Sequence, residues 1–190
     1  MSINAIQQGV RASAPCDPAP SIALCGFMAC GKSTIGRALA ARLGYAFADT
    51  DELLFKETGM TLQQMFAIGG ESYFRDREHE TIRRAAQMAR TVISTGGGVM
   101  TFERNARLLA EHTIVIHIHR SFEDCYACIS ARKNRPIAGR RSREELRAMY
   151  DARIAAYEKY AAYTLVNDGR PEETVDRAAA WIKDRLQAQR

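Results

Sequence analysis

Residues 26–33, GFMACGKS, place Gly26 and Gly31 with four residues between them and follow them with Lys32 and Ser33. This is phosphate chemistry. Glycines let backbone N–H groups curl around phosphate oxygens, a lysine reaches the β/γ-phosphates of a nucleoside triphosphate, and a hydroxyl faces Mg²⁺. Asp49 and Asp51, two positions apart, offer two carboxylates that can serve a metal and an acceptor hydroxyl; alone, the pair could simply cap the following helix. Arg75 lies three residues before Glu78, which can hold its guanidinium by an i,i+3 pair, and an oriented Arg is a natural bidentate partner for a substrate carboxylate. Gly96, Gly97 and Gly98 are costly in succession unless the backbone must come close to a bound molecule. Arg132, Lys133, Arg135, Arg140, Arg141 and Arg143 crowd around Pro136 and Gly139, which argues for a basic loop closing over a polyphosphate.

These residues need elements to position them. Residues 21–25 (SIALC) form a short apolar run of the buried parallel-strand type, and 34–43 have a helical pattern. A strand over 45–48 ends at Asp49, placing both acids at a strand's carboxyl end, where ligands gather in parallel sheets. Residues 61–89 are helical in pattern with an interruption at 68–71. Strands follow at 92–94, 114–118 and 164–166, with helices over 121–132, 143–160 and 171–187. The expected fold is α/β: a five-stranded parallel sheet flanked by helices, without internal repeats.

At 190 residues, 46% hydrophobic and 26% charged, the chain suits a single domain over 21–190 behind a disordered tail over 1–20. No signal-peptide pattern or membrane-length apolar stretch is present, so a cytoplasmic protein is expected. Five cysteines, an odd number, suit reduced thiols. Cys125 and Cys128 form a CxxC without the second ligand pair that structural zinc requires, with His117 and His119 in a predicted strand, so two small buried residues on a helix are expected. The net charge of +5 is concentrated in the basic loop. With few aromatics nearby to stack bases, a nucleic-acid platform is disfavoured.

Taken together, GFMACGKST, DTDE, FxxxGExxFRxxE (66–78), STGGG, NRP and the late RxxxY of Arg153 and Tyr157 resemble shikimate kinase, in matching order across about 22–171. The resemblance implies a P-loop kinase fold, nucleoside-monophosphate-kinase-like, with a substrate-binding helical region and a lid at about 133–143. It implies that Ala29, Cys30, Gly31, Lys32, Ser33 and Thr34 hold ATP, with Arg170 on the adenine side and Arg135 closing over the β/γ-phosphates. Ser33 and Asp49 would serve Mg²⁺, and Asp51 would orient or deprotonate the attacking hydroxyl. Arg75 and Arg153 would clamp the shikimate carboxylate, with Gly97 lining the pocket; Lys32, Asp51 and Arg135 would be catalytic. The partners are then ATP and shikimate in a monomer, without nucleic acid or membrane.

Five positions depart from the family pattern. Ala29 stands where the family usually has Gly, and its methyl restricts φ. Cys128 replaces an Arg that stacks on adenine, with Arg132 as a nearby substitute. Ile137-Ala138 replaces paired leucines in the lid, and Ala155 replaces a Pro. Other readings are a kinase for another hydroxy acid such as gluconate, and a nucleotide-binding regulatory protein that has lost turnover.

Overall fold

The computed structural model describes residues 19–131 and 141–188. Five strands, β1 (Ser21–Cys25), β2 (Ala46–Asp49), β3 (Thr91–Ser94), β4 (Thr113–His119) and β5 (Tyr163–Val166), form one sheet in the order β2-β3-β1-β4-β5. All neighbouring pairs are parallel. β1 lies at the centre with Ile22, Ala23, Leu24 and Cys25 fully buried, because a parallel strand covered by helices on both faces has no solvent side for polar residues. The strand order reverses around β1, so the crevice between the carboxyl ends of β3 and β4 is where this topology places ligands.

Helix α1 (Lys32–Leu43) returns along the sheet from the loop after β1, and Gly44 closes it in the left-handed conformation at φ 66°. α2 (Thr50–Thr58) follows β2 directly, and α3 (Leu62–Ala86) opens with a capping box between Thr61 and Gln64. The expected interruption is present: Gly69 and Gly70 leave helical geometry, Gly70 at φ 65° and ψ −160°, values that a side chain would resist. Leu54, Met65 and Phe74 form a small apolar cluster between α2 and α3, separate from the main core. It gives this helical region its own packing beside β2 and β3.

A 3₁₀ turn (Val99–Thr101) and α4 (Glu103–His112) follow β3. The sequence reading placed no element there, although Ala106 and Leu109 face inward among charged neighbours. The remaining helices are α5 (Phe122–Ser130), α6 (Arg143–Tyr160) and α7 (Pro171–Ala188). Cys125 is buried on α5 and Cys128 half-buried one turn later, as helical spacing predicts. Arg132, Lys133, Arg135, Pro136 and Arg140 of the basic stretch, and residues 1–18 of the expected tail, lie outside the described residues.

Candidate functional site

The loop after β1 curls around its own lysine. Lys32 Nζ donates to the carbonyls of Gly26 and Phe27, both at 2.9 Å, and lies 3.8 Å from Cys30 Sγ. Gly31 caps α1 at φ 104° with no side-chain acceptor, and the first turn carries no acid. The leading N–H groups of α1 and the positive end of its dipole therefore face the loop unopposed, an anion site made of backbone. Ala29 takes φ 63°, the left-handed conformation that the expected Gly would reach without strain. Across the loop, the Asn167 side-chain amide donates to Cys30 O at 2.8 Å, while its main-chain N–H donates to His119 O at 2.7 Å. Asn167, absent from the sequence reading, thus braces the loop from the end of β5. Thr34 is exposed on the first turn of α1.

Strand pairing supplies the next group. Asp49 and Ser94 are partners across β2 and β3. Ser33 Oγ donates to Asp49 Oδ2 at 2.8 Å and lies 3.2 Å from Ser94 Oγ. These hard oxygens suit Mg²⁺, which takes one or two protein carboxylates or hydroxyls and completes its shell with phosphate and water. Among the described residues no group of three His, Cys, Asp or Glu could hold a metal.

Asp49 also caps α2, its Oδ1 accepting from the N–H of Asp51 at 3.1 Å while its Oδ2 accepts from Ser33. The sequence reading set both acids at the end of a strand, but only Asp49 belongs to it. The strand ends at Asp49 and the helix begins at Thr50, leaving Asp51 in the first helical turn. Asp51 reaches across to the glycine run: a Cβ added at Gly96 would stand 2.9 Å from its Oδ1. Buried Thr50 fixes that approach by accepting from Gly96 N–H at 2.9 Å.

Arg75 and Arg153 meet at the same glycines. A Cβ at Gly98 would stand 3.2 Å from Arg75 Nη1 and 3.9 Å from Arg153 Nη2. Arg75 donates through Nε and Nη2 to Glu71, at 3.2 and 3.1 Å, and through Nη1 to Glu78 at 3.0 Å, with the Phe102 ring 4.3 Å beneath its guanidinium. Arg104 Nη2 donates at 2.9 Å to Arg75 O, tying this turn of α3 to α4. Burial raises the Glu78 carboxyl above its ordinary range, against the pull of Arg75, and the charge of Asp51 adds to the rise. Arg153 Nη1 and Tyr157 Oη both donate to Gly97 O, at 3.2 and 2.6 Å. Two guanidinium groups and one carboxylate thus surround a glycine-walled space at the carboxyl ends of β2 and β3.

One expected nucleotide residue stands apart from this group. Arg170 turns onto Glu173 at the start of α7, 2.6 Å away and largely exposed. Arg135 lies outside the described residues. Phe102 and Ser94 were missed by the sequence reading, although Ser94 heads the STGGG run.

A sequence model of the family described as "Shikimate kinase" matches residues 28–183. The shikimate kinase of Ruegeria pomeroyi is 34% identical over 168 residues, covering 87% of this chain and 86% of that protein. That of Chromobacterium violaceum is 39% identical over 139 residues, covering 73% of this chain and 76% of that protein. Among solved structures, shikimate kinase from Acinetobacter baumannii in complex with shikimate superposes with a TM-score of 0.81 at 31% identity, covering 87% of this chain and 94% of that one.

Proposed function

The chain belongs to the shikimate kinase family, and from that premise we propose how its residues carry out the ATP-dependent phosphorylation of shikimate to shikimate 3-phosphate. The fold is the nucleoside-monophosphate-kinase-like P-loop fold of its structural neighbours. Kinases for other hydroxy acids and a turnover-deficient regulator are disfavoured by this membership.

Phosphoryl transfer needs alignment and charge neutralisation more than covalent help from the protein. Lys32 leaves its own carbonyls for the β/γ-phosphates, while the first N–H groups of α1 hold the same phosphates from below. Ser33 and Asp49 would hold Mg²⁺, which would supply positive charge to offset that of the phosphates. Arg75 and Arg153 grip the shikimate carboxylate over Gly97 and Gly98. That grip turns the acceptor hydroxyl toward Asp51, which accepts its proton as the oxygen attacks the γ-phosphorus. Arg135 would close over the transferring group from a lid at about 133–143 and stabilise its charge.

The convergence of Arg75 and Arg153 on Gly98, with Asp51 on adjacent Gly96, carries this assignment. A carboxylate docked between the two arginines leaves the rest of a small ring beside Asp51, at the sheet edge that holds the phosphate loop. We place residues 21–190 in one cytoplasmic, monomeric domain behind a tail over 1–20. Among the described residues no helix is long and apolar enough to cross a membrane.

ADP release with Mg-ATP tests the reading, comparing shikimate, quinate, gluconate and no acceptor. Stimulation by shikimate alone is expected. Equal release with every acceptor, or with none, would overturn the acceptor assignment.

A further inference from the structure

The two arginines at the glycine run are held very differently. Arg75 is locked by two carboxylates, those of Glu71 and Glu78. Arg153, half-buried on α6, has one acceptor among the described residues, the carbonyl of Gly97, which its Nη1 reaches at 3.2 Å. Tyr157, one turn further along α6, donates to the same oxygen at 2.6 Å. Gly97 O therefore takes two donors at once, the shorter bond coming from the phenol and the longer from the guanidinium.

The surroundings fix one donor and leave the other room to turn. Tyr157 is completely buried, and its ring lies 5.3 Å from the His117 ring on β4, so the hydroxyl is anchored to the sheet. Burial raises the phenol well above its ordinary range, which keeps it an O–H donor. Arg153 has only the carbonyl, and its Nη2 already stands 3.9 Å from where a Cβ of Gly98 would lie. A carboxylate takes a guanidinium bidentately, whereas Gly97 O offers it a single bond, so a ligand carboxylate is the better partner. Turning the fork from Gly97 O onto that ligand would strip a sheltered carbonyl of its donor, and such a group is costly to leave unpaired. The Tyr157 hydroxyl removes the cost, because its bond to Gly97 O outlasts the departure.

We infer that Tyr157 is a positioning residue for the acceptor: by keeping Gly97 O paired, it releases Arg153 to grip the substrate carboxylate. The inference rests on the carboxylate-clamp reading of Arg75 and Arg153 and deepens it.

Steady-state kinetics of Tyr157→Phe, which loses one hydroxyl and keeps the ring, test it. KM for shikimate is expected to rise about tenfold, with kcat and KM for ATP within about twofold, because Arg153 becomes the sole donor to Gly97 O and is held back from the ligand. The methyl ester of shikimate, with no carboxylate charge to draw Arg153 away, should have the same KM in the variant and the unmutated chain. In an Arg153→Ala background, Tyr157→Phe should raise KM for shikimate no further, since no guanidinium remains to be released. If a thermal melt shows that Tyr157→Phe folds poorly, Tyr157→p-aminophenylalanine, which keeps a weaker donor in the same place, should raise the same KM by a smaller factor. An unmoved KM for shikimate in a folded variant would overturn the inference. An equal rise for shikimate and its ester, or an equal rise with and without Arg153, would overturn it too, since either marks a purely structural role. An unmutated chain that turns over no shikimate would refute the acceptor assignment and this inference together, whereas the preceding outcomes refute the inference alone.

Discussion

Gly96→Ala isolates the part played by Asp51 without touching the acid itself. The added methyl carbon would stand 2.9 Å from Asp51 Oδ1, whereas ordinary contact begins near 3.4 Å, so the carboxylate must retreat by about 0.5 Å. The other near neighbour, Val99 Cγ2 at 3.6 Å, is already at a comfortable distance. Because Oδ1 is the far end of a flexible side chain, the retreat is cheap for the fold; the loss of unfolded-chain entropy favours Ala by about 0.4–1 kcal/mol, so the melting temperature should move little. Catalysis is less forgiving. A misplacement of about 1 Å can cost about a hundredfold, so half that distance should lower kcat about tenfold.

The assay is steady-state ADP release for the unmutated chain, Gly96→Ala, Asp51→Asn and the double variant, with a thermal melt of each. Asp51→Asn alone should lower kcat by about 10²–10⁴ and leave ATP affinity nearly intact. In that background Gly96→Ala should cost almost nothing further, since the group it displaces no longer acts as a base. Undiminished kcat in a folded Gly96→Ala protein, or full additivity of the two losses, would refute the reasoning.

Arg75→Ala should raise KM for shikimate by about 30-fold and lower stability by roughly 2–4 kcal/mol, because it leaves the Glu78 carboxylate buried without its partner. Adding Glu78→Gln should recover stability but not KM, and an effect confined to ATP affinity would contradict the clamp. Ala29→Gly should relax a left-handed alanine by about 1 kcal/mol, offset by a similar loss to the more flexible unfolded chain, so Tm should hold while KM for ATP falls about threefold. A lower affinity would show that the methyl is an accepted part of the loop. Burial lowers His117, on β4 with an unpartnered Nδ1, to about 4. The unfolded chain therefore binds the extra proton first, and stability present above pH about 6.5 should be lost as pH falls toward about 4, by roughly 3 kcal/mol. Chemical denaturation across that range should show the loss, and His117→Phe should flatten it.

The site divides into residues a linear reading can find and residues only the fold can bring in. Lys32 and Ser33 are legible because phosphate binding needs them at fixed offsets from two glycines on one loop. Arg75 is legible because its helical neighbour Glu78 announces an oriented guanidinium. Arg153 came by resemblance, and its arrival at Gly98 depends on the packing of α6 against the 3₁₀ turn, which no local pattern encodes. Ser94 joins Ser33 through strand register, Phe102 lies under Arg75 by way of an unanticipated turn, and Asn167 reaches the loop from the far end of the chain. Asp51 was singled out for its carboxylate but given extended geometry, because a pair of acids two positions apart at a strand's end also fits a helix cap followed by its first turn. The sheet itself was legible nearly to the residue at β1, where a wholly apolar run has few alternatives. α2 was visible only as a cap because Thr50 and Leu54 are its only buried residues.

The two carbonyls that hold Lys32 make nucleotide entry a substitution rather than an addition. In the proposed role of Lys32, phosphate does not meet a waiting ammonium; it must displace Gly26 O and Phe27 O, each at 2.9 Å, much as an incoming ligand displaces water from a metal ion. Measured affinity then reports the difference between phosphate and carbonyl as companions for one cation, and only part of the Coulomb attraction survives into it. The same exchange sorts anions. A monovalent ion that cannot outbid both carbonyls leaves the loop closed, while a polyphosphate that also engages the N–H groups of α1 opens it, so the loop discriminates by charge density using only its own backbone.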